Sequence, residues 1–222
     1  VFKLPEDTPP HERARAQTLA SALVLLSQGI AYVHAGQELL RSKSMDRNSY
    51  DSGDAFNALD WSARDNGFGK GLPPRGDNGE SWPLMQPLLA RAGQIRPRPE
   101  DIAFARDAFL DLLRIRASTT LLRLRTAADI RQRLRLHNTG PGQDPAVVVA
   151  HLDGQGYAGA GFAELVVAVN VAPQARSIEV PALAGRAFEP HPVHRSATAA
   201  DRRAASARHD PATGALELPP RT

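Results

Sequence analysis

Residues 39–61, LLRSKSMDRNSYDSGDAFNALDW, crowd carboxylates, arginines, asparagines and aromatic rings into one polar stretch. The stretch follows an apolar run that ends in Gly36-Gln37-Glu38. Carboxylates accept hydrogen bonds from vicinal hydroxyls, and aromatic faces stack on the apolar faces of pyranose rings. These residue types therefore point to carbohydrate recognition. Bond cleavage asks for more: retaining glycoside hydrolysis needs a carboxylate nucleophile and a carboxylic acid about 5 Å apart. A loop Asp without a paired acid reads first as a solvated or turn-forming group.

Other chemistries find little support in the 222 residues. There is no cysteine, so no disulfide framework and no thiolate nucleophile or metal ligand. No Gly-x-Ser-x-Gly elbow, P-loop or dinucleotide glycine fingerprint occurs. His191 and His194 lie close in sequence, but Pro190 and Pro192 disfavour a helix there and no third ligand is evident. Asp51-Ser52-Gly53-Asp54 and Asp77-Asn78-Gly79-Glu80 lack calcium-loop spacing and read as turns. The net charge is only +3. Arginines are scattered among acids, so neither a nucleic-acid face nor a membrane span is expected.

The elements that must carry the loop are legible in outline. Residues 9–28 read as a helix, with Thr8 as N-cap, Pro9 at the first helical position and Gly29 past the end. Ile30–Ala35 is short, continuous and β-friendly, the pattern of a strand covered on both faces in a parallel sheet. From Leu39 to Pro99 the density of Gly and Pro predicts a long loop, ordered by Phe56, Trp61, Phe68 and Trp82. A second helix is expected over residues 100–116, burying Ile102, Ala105, Phe109, Leu112 and Leu113 and turning Asp101 and Asp111 outward. Beyond Ser118, strands are expected at 131–137, 146–152, 165–171, 177–180, 189–193 and 215–218, separated by turn signals. Residues 196–208 read as loop or one helical turn.

Several segments resemble, in order and spacing, the pullulanase-type α-1,6-glucosidases and limit dextrinases of the α-amylase clan of glycoside hydrolases. Gly29–Glu38 is similar to the clan's eighth barrel strand, with Ala31 where Pro is usual. Leu40–Ser44, Asn48–Asp54 and Phe56-Asn57 resemble the family's loop. Gly71–Pro74, Asp77-Asn78, Trp82–Leu84, Leu113–Arg116, His137–Pro141 and Val180–Leu183 continue the match.

The resemblance implies an α/β part followed by an all-β part. Residues 1–117 would be the end of a (β/α)₈ barrel: its seventh helix, eighth strand, rim loop and eighth helix. Residues 118–222 would be an antiparallel β-sandwich C-terminal domain. The family cleaves α-1,6 linkages of pullulan, limit dextrin and starch by a retaining mechanism, with catalytic carboxylates on earlier strands that no residue here matches. Asp54 matches the position that bonds glucose on the non-reducing side of the cleavage point. The basic partner usual four residues later is Ala58 here, which weakens the subsite or shifts the contact to Arg47 or Arg41. Asn48, Tyr50 and Asp51 complete the expected substrate-binding set. No cofactor is expected within the chain, and the resemblance leaves room for calcium in the parent enzyme. The expected partners are a branched α-glucan and the preceding part of the same polypeptide, since the chain opens on Val1 and reads as a C-terminal portion, inactive alone. The alternative is a carbohydrate-binding or purely structural β-sandwich without catalysis.

Overall fold

The computed structural model describes residues 4–222, which divide into two compact units. One comprises the chain up to Thr18 with residues 34–106, and the other residues 19–33 with 107–222.

Helix α1 is Pro10–Leu25. Arg13 fastens its approach, donating from Nε to the Thr8 carbonyl at 2.9 Å and from its terminal nitrogen to Glu6 at 2.9 Å. Arg116 satisfies the exit, where helix carbonyls lack intrahelical partners. Its guanidinium donates to the carbonyls of Leu25 at 2.5 Å, Ser27 at 3.1 Å and Gly29 at 2.8 Å.

The segment after α1 departs from expectation. Residues 30–34 are irregular, and neither sheet of the described residues includes them. Ile30 is 95% exposed and Tyr32 91%. A parallel-type strand is stabilised by neighbours on both edges and both faces, and no strand here supplies them. The predicted loop 39–99 is also corrected in part, because α2 spans Trp82–Ala90. Pro83 lies in its first turn, where a missing N–H costs nothing, while Pro87 sits inside it. Phe68, Leu88 and Ile95 form a small core here, with Met45 and Ala92 against it.

Helix α3, Pro99–Ala117, matches its prediction to within a residue. Arg98 offers no capping side chain, but its backbone N–H donates to Asp101 Oδ2 at 2.9 Å. Ile102, Ala105, Ala108, Leu112 and Ile115 are buried, whereas Leu113 is 40% exposed. Asp101 and Asp111 are buried rather than outward. Each carboxylate has partners: Asp111 accepts from Arg114 at 2.8 Å and from the Ala200 N–H at 2.9 Å.

Two three-stranded antiparallel sheets follow, ordered β1-β2-β3 and β4-β6-β5. The strands are β1 Leu134–His137, β2 Val147–Asp153, β3 Glu164–Asn170, β4 Arg176–Glu179, β5 Arg208–His209 and β6 Ala215–Leu218. The alternation of β2 splits its side chains between two cores. Val147 and Val149 join Val180, Leu183, Leu216 and Leu218, so this cluster draws on both sheets. Leu152, on the opposite face, packs with Ile115, Leu121, Leu122 and Leu124.

Three expectations fail locally. Residues 131–133 end helix α4, Ala127–Arg133, whose Thr126 and Asp129 form a reciprocal capping box. Pro192–Arg195 is a helical turn, not a strand, with Pro192 suited to its first position. Arg208–His209 pairs with β6, where a loop or helical turn was expected. The turn from β5 to β6 needs Gly214, whose φ is +77° and whose added Cβ would strike the Val180 carbonyl.

Candidate functional site

The expected site residues lie on a loop held by a few side chains far apart in sequence. Asn57 is one hub. Its Oδ1 accepts from Lys43 Nζ at 2.5 Å and Ser49 Oγ at 3.0 Å. Its Nδ2 donates to the carbonyls of Ser49 at 2.6 Å and Gly53 at 3.0 Å. Arg41 donates to the Asn57 carbonyl and, at 3.2 Å, to that of Ala35. The turn at Gly36 is tight: its φ is +87°, and an added Cβ would meet Leu59 and the Arg41 side chain.

Asn78 is the second hub, only 1% exposed. Its Oδ1 accepts the Arg47 N–H at 3.0 Å, and its Nδ2 donates at 3.0 Å to Asp46 Oδ1 and to the Pro74 carbonyl. Burial would raise the Asp46 carboxyl, but bonds from Ser52, Asn78 and the Asn48 N–H, with Lys43 nearby, hold it below the usual carboxylate range. The Asn48 amide also donates to Asp77 Oδ2 at 3.0 Å. Ser44, fully buried, accepts at Oγ from the N–H groups of Gly69 at 3.2 Å and Lys70 at 2.9 Å.

Leu40, Ser44 and Met45 all have positive φ, at 55°, 48° and 69°. Left-handed non-glycine backbone is costly and persists only where surrounding bonds over-determine it; such residues cluster at functional sites. A third fixed point is Asp60. Its carboxylate accepts from the N–H groups of Ser62 at 2.8 Å, Arg64 at 3.1 Å and Asp65 at 2.8 Å, and from Ser62 Oγ at 2.6 Å. Led by the Ser62 hydroxyl, these bonds lower its pKa to about 2.

On this frame the expected residues separate into two kinds. Arg41 is engaged inward with backbone carbonyls, its Nε buried without a partner. Arg47, Asn48, Tyr50, Asp51 and Asp54 are exposed, Tyr50 by 95%. Tyr50 and Asp51 occupy the turn Ser49–Asp51, and Asp54 opens the one-turn helix Asp54–Asn57. Both turns are tied through Asn57. Sequence reasoning missed Asn57 and Asn78 as organisers. The signal available was an Asn ending one polar turn and another inside a turn-forming Asp-Asn-Gly.

The arrangement can present carboxylate, amide, guanidinium and phenol groups to a polyhydroxylated ligand from a pre-organised backbone. His191 is engaged within the fold: its Nε2 lies 3.1 Å from Ser118 Oγ, and its Nδ1 accepts the Val193 N–H. Among the described residues no group of three or more His, Asp or Glu could hold a metal ion. Nor, among them, is any helix long and apolar enough to cross a membrane.

Known proteins resemble this chain in sequence and fold. Residues 63–222 match the family described as alpha-1,6-glucosidases, pullulanase-type, C-terminal. The chain is 42% identical over 229 residues to Pullulanase 1, chloroplastic, of Arabidopsis thaliana, covering 100% of this chain and 23% of that protein. It is 34% identical over 184 residues to the pullulanase of Klebsiella pneumoniae, covering 80% of this chain and 16% of that one. The crystal structure of PulA from Klebsiella oxytoca superposes with a TM-score of 0.87 at 29% identity, over 100% of this chain and 21% of that one. A maltotriose complex of PulA from Klebsiella pneumoniae gives 0.86 at 30% identity, over 100% of this chain and 24% of that one. The chain thus spans about a quarter or less of the proteins it matches, and it belongs to the pullulanase-type alpha-1,6-glucosidase family through that family's C-terminal region.

Proposed function

We propose that this chain is the C-terminal portion of a debranching hydrolase that cleaves α-1,6-glucosidic bonds of pullulan, limit dextrin or starch with retention of configuration. Its part is to contribute a substrate-binding loop and a buttress, not the bond-breaking acids. Residues 1–117 would complete a (β/α)₈ barrel whose earlier strands carry the nucleophile and acid. Residues 118–222 would be the β-sandwich that supports it.

The observation that carries this reading is the loop frame. Asn57 and Asn78 tie down the backbone of residues 41–78 while the side chains of Tyr50, Asp51 and Asp54 stay exposed. A recognition site gains affinity when its ordering cost is met before the ligand arrives. The relative solved with maltotriose supports an α-glucan as that ligand. Asp54 would accept hydrogen bonds from vicinal hydroxyls, and Tyr50 would offer a ring face to the pyranose. Arg47 and Asn48 would add donors, while Arg41 positions the loop from beneath. The exposed stretch 30–34 would be the eighth barrel strand, paired by strands of the preceding polypeptide.

Hydrolysis of pullulan by this chain alone tests the division of labour. No reducing-sugar release above background is expected. Turnover at rates ordinary for a glycosidase would overturn the assignment.

A further inference from the structure

Between the two sheets, Phe188 joins two histidines, and a third stacks on one of them. His137 of β1 and His151 of β2 stack with ring centroids 5.9 Å apart. Phe188 lies edge-on to both His151, at 6.1 Å, and His209 of β5, at 5.1 Å. His137 Nε2 and both ring nitrogens of His209 are buried without hydrogen-bond partners, and His151 Nε2 has only the Glu164 carboxylate, 3.5 Å away. Buried polar atoms are normally satisfied, so three orphan nitrogens in one seam call for an explanation.

The charged surroundings differ from ring to ring. Glu164 of β3 places Oε2 3.5 Å from His151 Nε2, and Arg186 pairs with the same carboxylate. Asp153 of β2 also faces His151, and Arg135 of β1 is its cross-strand partner. Glu179 of β4 lines the same open groove as His137, and Asp210 neighbours His209. A neutral imidazole can sit in such a seam at modest cost. A protonated one there is poorly solvated, and two would face each other across the stack.

We propose that the stacked pair His137 and His151 is an acid-triggered latch: neutral rings keep the two sheets closed here, and protonated rings open them. Burial lowers the pKa of both His137 and His151, and their mutual repulsion or Arg186 adds to this despite Glu164. The sign follows from that direction. The closed seam binds protons less readily than the open one, so closure is fully favoured above the ordinary histidine range and is lost as pH falls through the lowered values.

Amide hydrogen exchange on the full chain, corrected for intrinsic rates, tests this between pH 8 and pH 5. Residues 208–218 should lose about tenfold in protection on acidification. Helix α1 should change little over the same range. His137→Leu combined with His151→Leu should abolish the loss. Equal protection at both pH values, or the same loss in the variant, would overturn the latch. Ring-proton titration of the unsubstituted chain guards against a variant that does not fold. The loss must share its midpoint with His137 and His151, and a midpoint displaced by about a full unit also overturns it.

Discussion

Asn78 reaches 32 residues back along the chain to donate to Asp46 Oδ1 at 3.0 Å, while its own Oδ1 holds the Arg47 N–H. A buried amide with all its bonds formed fixes the relative position of two polar segments that no hydrophobic pattern connects. The loop is therefore a built scaffold, and its exposed residues inherit their positions from side chains that need not touch a ligand.

Removal of that amide should be costly. Asn78→Ala leaves the Arg47 N–H and the Asp46 carboxylate short of partners, and should destabilise the first unit by about 2 kcal/mol. Urea denaturation measures it. A change within about 0.5 kcal/mol, the range of an ordinary surface substitution, would contradict the hub role.

The Asp60 turn should be sensitive only to strong acid. Its folded pKa, about 2, lies below the ordinary 3.8, so its stabilisation is complete above the ordinary value and lost as pH falls through about 2. Carboxyl-carbon NMR should show Asp60 titrating near 2, with the amides of Ser62, Arg64 and Asp65 shifting at the same midpoint. A midpoint near the ordinary value with unresponsive amides would refute the clamp.

The orphan segment 30–34 should make the isolated chain adhesive. Ile30 and Tyr32 project from backbone that no strand of the described residues covers, and exposed apolar surface binds hydrophobic dyes. Ile30→Asp with Tyr32→Asp should reduce dye fluorescence at least about twofold while leaving the far-ultraviolet dichroism unchanged. Undiminished fluorescence would place the adhesive surface elsewhere.

What the sequence discloses tracks how local the physics is. The Val-rich runs of β2 and β3, the four residues of β6 and the apolar stripe of α3 announce themselves, because each element's own residues carry its burial pattern. Helix α2 was hidden by Pro83 and Pro87, which read as loop signals although one of them suits a helix start. Residues 30–35 carry a strand's composition without a strand's neighbours, so the pattern is visible and the pairing is not formed. In the loop, the residue types that pointed to sugar recognition were legible in residues 41–54. The hubs at Asn57 and Asn78 were not, because hydrogen bonds spanning 8 to 32 residues leave no periodicity.

Binding of maltotriose to the chain, followed by saturation-transfer NMR, tests the central claim most directly. Transfer to the sugar protons should be seen with the unsubstituted chain and should fall at least about tenfold with Asp54→Ala, the loss of one charge-assisted hydrogen-bonding group. Equal transfer with and without Asp54, or none from a folded chain, would contradict the assignment of this loop as the glucan-contacting surface.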